Sequence, residues 1–302
     1  MEFLKILEGI RTPFLDTVIG LITRLGEETV GIVVLCAIFW CISKKAAYGI
    51  GVAYFLSGLT VQGMKICFRI DRPWVADPSF HPVPSAIEHA TGYSFPSGHT
   101  QSATTLFGSL GVQIKQKPVK VICFLLVILV AFSRMYLGVH TPLDVVASIL
   151  ISFVFILVAA IILKGDVVEK KRALILALIM VVFAVAVIVI AAVLHSAGTI
   201  DEGYLSDCLK AAGAGVGFAV GMYIESVYID FPVRAKNIIW QVVKLVLGIA
   251  GVLIIKEGLK LVIGVGLVVD TVRYFLMLMW VTVFFPLIIK RFFAADAYTR
   301  CR

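Results

Sequence analysis

Three short segments of the sequence bring together residue types able to bind and cleave a phosphate ester. The first is Lys65-Ile-Cys-Phe-Arg-Ile-Asp-Arg72-Pro73, where 6 residues separate two cations. Arg72 offers a planar fork that matches two phosphoryl oxygens, and Lys65 adds a compact point charge. Taken alone, the pair reads more readily as positive charge at a membrane boundary. The second is Tyr93-Ser-Phe-Pro-Ser97-Gly98-His99-Thr100, where Ser97 is suited to cap a helix and Gly98 lets backbone approach an anion at the helix's positive end. An unperturbed histidine titrates near 6.5, so His99 can lend and take back a proton as a general acid and base. The third is Ser133-Arg134-Met-Tyr-Leu-Gly-Val-His140-Thr141-Pro142-Leu-Asp144. Thr141, Pro142 and Asp144 look like an ordinary helix start with an acidic cap. Yet Asp144 follows His140 by four residues, close enough to accept one ring N–H and leave the other nitrogen facing substrate, as a nucleophilic imidazole requires. Arg134 supplies a third cation for a five-coordinate phosphoryl group.

The elements that must position these segments lie in a membrane. The 302 residues are 60% hydrophobic and 15% charged, with a mean hydropathy of +1.02, too apolar for a folded soluble domain. Apolar runs long enough to cross a bilayer recur near 27–43, 46–64, 98–114, 119–133, 143–163, 173–195, 209–228, 237–257 and 268–290. The expected fold is therefore all-α, a polytopic transmembrane bundle of about nine spans. Residues 1–26 read as an amphipathic interfacial segment, 27–164 as a core holding all three motifs, and 165–302 as additional helices. Gly258 to Val269 either extends a neighbouring helix or re-enters the membrane.

The net charge of +8 sits in short clusters between spans: Lys44 and Lys45; Lys115, Lys117 and Lys120; Lys164 to Arg172; Arg234 and Lys236; Lys290 and Arg291. Such loops face the cytoplasm, and a charge explained by topology argues against nucleic acid as a partner. All five histidines and all three motifs then fall on the opposite, non-cytoplasmic side. Among the histidines, His81, His89 and His195 read as ordinary polar loop residues. Lys256, Lys260 and Arg273 also fall outward, which fits helix-end residues that snorkel. The six cysteines, Cys36, Cys41, Cys67, Cys123, Cys208 and Cys301, are scattered and suggest neither zinc nor disulfides. In the later helices, Gly213, Gly215, Gly217 and Gly221 suit close helix packing. Glu225 and Lys244 look like buried charges that pair or face a polar cavity.

Read in order, the segments are Lys-x6-Arg-Pro, Pro-Ser-Gly-His and Ser-Arg-x5-His-x3-Asp, and together they resemble the type 2 phosphatidic acid phosphatase superfamily. That superfamily also includes bacterial acid phosphatases, undecaprenyl diphosphate phosphatases, phosphatidylglycerophosphate phosphatases, glucose-6-phosphatase and vanadium haloperoxidases. The match runs from Lys65 to Asp144, about a quarter of the chain. The resemblance implies that His140 attacks phosphorus, Asp144 orients it and His99 protonates the leaving group. It implies that Lys65, Arg72, Ser97, Arg134 and the Gly98 amide hold the phosphoryl oxygens. No metal or other cofactor is implied, since cations and a helix end supply the charge. The expected substrate is a lipid phosphate monoester or diphosphate in the bilayer of a cell membrane. The helix count favours instead a sugar-phosphate phosphatase resembling glucose-6-phosphatase. A transporter, flippase or inactive lipid binder is the reading from another class, and the complete motif set argues against it. The helices after Lys164 suit a wall for a lipid tail, a homodimer surface or simple packing.

Overall fold

The computed structural model describes residues 1–88, 90–163 and 169–293, and its regular elements are helices. His89, Lys164 and Cys301 lie outside the described residues. In chain order the helices are α1 (Glu2–Gly9), α2 (Pro13–Thr23), α3 (Glu28–Cys41), α4 (Lys44–Phe68), α5 (98–113), α6 (Lys117–Tyr136) and α7 (Pro142–Ile162). They continue with α8 (Lys170–Ser196), α9 (Glu202–Ile229), α10 (Ile238–Ile263) and α11 (Leu267–Phe293). Single turns at Pro73–Ala76 and Pro84–Ile87 interrupt the link between α4 and α5.

Among the described residues, 7 helices are long and apolar enough to cross a membrane: α4 and α6 to α11. The chain is a multi-pass membrane protein. The other two expected spans coincide with α3, which has 14 residues, and α5. The interior of α5 is polar: Gln101, Thr104, Thr105 and Ser109 are buried along it. Two of its hydroxyls bond back to the helix, Thr104 Oγ1 to Thr100 O at 2.6 Å and Thr105 Oγ1 to Gln101 O at 2.8 Å.

The N-terminal segment is two helices rather than one. Proline lacks an N–H and is favoured at the first helical position, so Pro13 starts α2 afresh. Thr12 caps that start by accepting from Leu15 N at 3.3 Å.

The chain divides into two compact units. The first joins Met1–Ile32 to Thr60–Val158 and contains all three motifs. Within it α6 is the central post, and α1, α2 and α5 each pack against it. Leu4, Leu7 and Phe80 form one small apolar cluster, and Val83, Ala86, Tyr136, Leu137 and Val139 form another.

The second unit joins Val33–Leu59 to the chain from Ala159 onward, and α9 packs there against α8 and α11. Gly213 and Gly217 let α9 and α11 touch backbone to backbone, and a Cβ at Gly217 would stand 2.6 Å from the Phe275 carbonyl. Glu225 and Lys244 are both fully buried, but they do not pair with each other as a sequence reading allows. Glu225 Oε1 receives Lys44 Nζ and Phe231 N, both at 3.1 Å, while Lys244 Nζ donates to Val233 O at 2.7 Å. The Gly258 region extends a helix: α10 runs to Ile263, and Gly264, with a φ of +88°, breaks it in a left-handed conformation that suits glycine. Lys256 and Lys260 thus lie near the end of α10, and Arg273 pairs with Asp270 at 2.7 Å early in α11.

Candidate active site

The three motifs converge in the first unit, at the end of α4, the start of α5, the end of α6 and the start of α7. Ser97 is the N-cap of α5, its Oγ accepting from Thr100 N at 3.4 Å and Thr100 Oγ1 at 3.0 Å. Its own backbone N–H donates to the carbonyl of Asp144 at 3.3 Å, which joins the second motif to the third. Next to it, a Cβ built on Gly98 meets nothing within 4 Å, so the backbone here borders open space. His99 follows, half-buried, with its carbonyl 2.7 Å from where a Cβ on Gly26 would stand.

Asp144 is 1% exposed and has two jobs. It forms a reciprocal cap with Thr141: Thr141 N donates to Asp144 Oδ2 at 2.7 Å, and Asp144 N donates to Thr141 Oγ1 at 3.3 Å. The same Oδ2 lies 3.5 Å from His140 Nδ1, an ion-pair approach that falls short of a hydrogen bond. A third group, Ser94 Oγ, donates to Oδ2 at 2.6 Å. Nothing in the sequence singles out Ser94, because a serine in a loop carries no pattern of its own.

His140 is 2% exposed. Its Nε2 lies 2.9 Å from Arg72 Nη1. Burial pushes its pKa well below the ordinary value, and the charges of Arg72, Arg134, Lys65 and His99 push it further in that order. The imidazole is therefore neutral at pH 7, and all four of those charges are felt at its ring.

The cations are placed largely by backbone carbonyls. Arg72 donates to Gly92 O at 3.0 Å, Thr91 O at 2.7 Å and Val139 O at 2.8 Å, and Lys65 Nζ donates to Tyr93 O at 2.6 Å. Arg134, 1% exposed, donates through Nη1 to Thr23 Oγ1 at 2.8 Å, and its Nε has no hydrogen-bond partner among the described residues. Sequence reasoning cannot see these carbonyl partners, since every residue type has one. All eight residues singled out from the sequence thus lie in one unit. His81 and His195 do not join them: His81 faces Glu8 at 3.3 Å, and His195 Nδ1 contacts Ile200 O at 3.1 Å. Among the described residues no three His, Cys, Asp or Glu side chains gather as a metal site would require.

Such a fold and site define a helical, multi-pass membrane protein with a buried histidine set among cationic side chains. Residues 46–168 match the PAP2 superfamily, and residues 209–297 match the transmembrane extension of PAP2 superfamily phosphatases. Taken together the two matches span most of the chain, which belongs to the PAP2 superfamily and carries that transmembrane extension. It is 28% identical over 170 residues to the "Probable sphingosine-1-phosphate phosphatase" of Dictyostelium discoideum, covering 50% of this chain but only 39% of that protein's length. To the undecaprenyl-diphosphatase BcrC of Bacillus subtilis (strain 168) it is 26% identical over 160 residues, 51% of this chain and 78% of BcrC. The crystal structure of a transmembrane PAP2 type phosphatidylglycerolphosphate phosphatase from Bacillus subtilis aligns with a TM-score of 0.44 at 24% identity. That alignment covers 52% of this chain and 81% of the other.

Proposed function

We propose that the protein hydrolyses lipid phosphate monoesters or diphosphates through a phosphohistidine intermediate, without a metal ion. The observation that carries this reading is a buried, neutral His140 whose ring feels the charges of Arg72, Arg134 and Lys65, with Asp144 behind it. A nucleophilic imidazole must be unprotonated, and a phosphoryl group in transfer needs positive charge around its oxygens.

In this mechanism Nε2 of His140 attacks phosphorus, and the bond from phosphorus to the leaving oxygen breaks. His99 gives its proton to that oxygen, so an alcohol or a phosphate departs. Lys65, Arg72, Arg134, Ser97 and the Gly98 amide hold the other phosphoryl oxygens. As the ring acquires positive charge, Asp144 stabilises it, since the proton on Nδ1 faces its carboxylate. Water then attacks the phosphohistidine and gives a proton to His99, orthophosphate leaves, and His140 is neutral again.

The site is read as opening to the non-cytoplasmic face of a cell membrane, with α3 and α5 completing about nine crossings. Residues 1–26 then lie at the interface, 27–164 carry the chemistry, and 165–302 line the lipid or a homodimer contact. Undecaprenyl diphosphate, phosphatidylglycerophosphate, phosphatidate and sphingosine 1-phosphate are the substrates to compare, three of them named by relatives. Phosphate release in detergent with EDTA, on these lipids and glucose 6-phosphate with His140→Ala as control, tests the reading. Lipid turnover that vanishes in the variant is expected. Turnover of the sugar phosphate alone would select the soluble-substrate alternative, and turnover that survives His140→Ala would overturn the mechanism.

A further inference from the structure

The segment before the first span does more than lie against the membrane surface. Helix α6 ends at Tyr136, and the turn after it carries His140 into the site. The last carbonyls of a helix have no intrahelical donor, and here Arg11 supplies one: its Nε donates to Tyr136 O at 3.0 Å. Its Nη1 donates to His81 O, and the guanidinium lies over the Phe80 ring, 5.4 Å from the centroid. Gly138, with a φ of +78°, passes so close that a Cβ there would stand 2.8 Å from both Arg11 Nη2 and Phe80. The turn before the nucleophile is therefore packed directly onto Arg11.

From its other side the turn is gripped by the site itself: Val139 N and His140 N donate to Arg134 O at 3.1 and 3.3 Å, and Val139 O accepts from Arg72. The arm also reaches further groups of the site. Asp16 accepts from Tyr136 Oη at 2.9 Å, Thr23 accepts from Arg134, and Gly26 abuts the backbone of His99.

We propose that Arg11 is a positioning residue for the nucleophile, holding the turn from Tyr136 to Gly138 so that His140 Nε2 stays in line with phosphorus. The proposal rests on the phosphatase reading above. A fork of donors can hold two carbonyls at once, as Arg11 holds Tyr136 O and His81 O, whereas a lysine presents one nitrogen. Displacing a reacting atom by about 1 Å costs about 100-fold in rate. The phosphate-holding side chains are not touched, so binding is preserved.

The test uses the full chain in detergent with the best lipid substrate, comparing wild type, His140→Ala, Arg11→Ala, Arg11→Lys and the surface control Lys5→Ala, which loses only an ion pair to Asp77. Arg11→Ala is expected to lose about 10- to 100-fold in kcat with KM within a factor of about two. Millimolar guanidinium should restore part of that loss, while Lys5→Ala shows neither the loss nor the rescue. Arg11→Lys is expected to melt with the wild type yet share the kcat defect, which keeps the test open where the alanine variant does not fold. Wild-type kcat in Arg11→Lys, or a loss that only follows the folded fraction and resists guanidinium, would overturn the proposal and leave the phosphatase reading intact. Absence of His140-dependent turnover in the wild type would overturn both.

Discussion

Nη1 of Arg72 lies 2.9 Å from Nε2 of His140, so the nitrogen proposed to attack phosphorus is in contact with a cation. A guanidinium only donates, so Nε2 must hold its lone pair and the ring proton must sit on Nδ1, toward Asp144. Arg72 thus favours the tautomer that the proposed nucleophilic attack requires. Arg72→Lys keeps the charge but cannot reproduce the fork that reaches Thr91, Gly92, Val139 and Nε2 together. Its kcat/KM is expected to fall by about 100- to 1,000-fold, the loss typical of removing one transition-state donor. Wild-type kcat/KM in that variant would contradict the assignment.

The two histidines separate by what accumulates. Rapid acid-free quenching of His140→Ala should trap no phosphoenzyme from an aryl phosphate. His99→Ala should slow lipid turnover by about 100- to 10,000-fold, as loss of a general acid and base does. With an aryl phosphate, whose leaving group needs no proton, it should still form phosphohistidine and then hydrolyse it slowly. Failure of the His99 variant to accumulate the intermediate would remove His99 from the second step.

Burial and the surrounding cations hold the His140 pKa well below its ordinary value, and this sets a pH dependence. Phosphoenzyme formation from an aryl phosphate should stay level from pH 8 down through the usual histidine range near 6.5, because the nucleophile remains neutral. A midpoint near 6.5 for that step would mean a solvated imidazole. Stability follows the same sign. The folded pKa is depressed, so the contribution of neutral His140 is full above the unfolded value near 6.5 and is lost as pH falls toward the folded one. The melting temperature of wild type relative to His140→Gln should therefore drop between pH 7 and 5.

Gly98→Ala and Ser94→Ala probe two different parts of the proposed site, the start of α5 and the Asp144 carboxylate. A Cβ on Gly98 meets no protein atom within 4 Å, so the variant should melt like the wild type while binding orthovanadate and substrate at least tenfold more weakly. Ser94→Ala removes the 2.6 Å bond to Asp144 Oδ2. Hydrogen bonds to charged groups contribute about 1.5–3 kcal/mol, so kcat should fall about tenfold or more. Unchanged kinetics in either variant would refute its part.

In the second unit, Gly217→Ala places a methyl 2.6 Å from the Phe275 carbonyl, where backbone has to yield. A destabilisation of about 1–3 kcal/mol is expected, read as a lower melting temperature in detergent. An alanine variant as stable as the wild type would show that α9 and α11 can separate without cost.

Much of this was readable from residue order. Apolar runs anticipate α4, α6, α7, α8 and α11 to within about four residues, because hydropathy and caps are local signals. The eight candidate residues come together in one unit for a similar reason: each sits near where a helix begins or ends. What escaped is what arises only on folding. The break at Pro13, the carbonyls of Thr91, Gly92, Tyr93 and Val139 on the cations, and Ser94 on Asp144 join segments far apart in sequence. The partner of Glu225 was equally hidden, since Lys44 precedes it by 181 residues.

The carbonyl grip on Lys65 and Arg72 bears on mutational tolerance. Because main-chain oxygens do the holding, the side chain at Thr91 can change without moving Arg72, and a saturation scan should be nearly silent there. Gly92, held at a φ of +72°, is the exception, and a bulky residue at that position should disturb Arg72 from a distance. What Arg72 requires of this stretch is thus its path, set at Gly92, more than the side chain at Thr91.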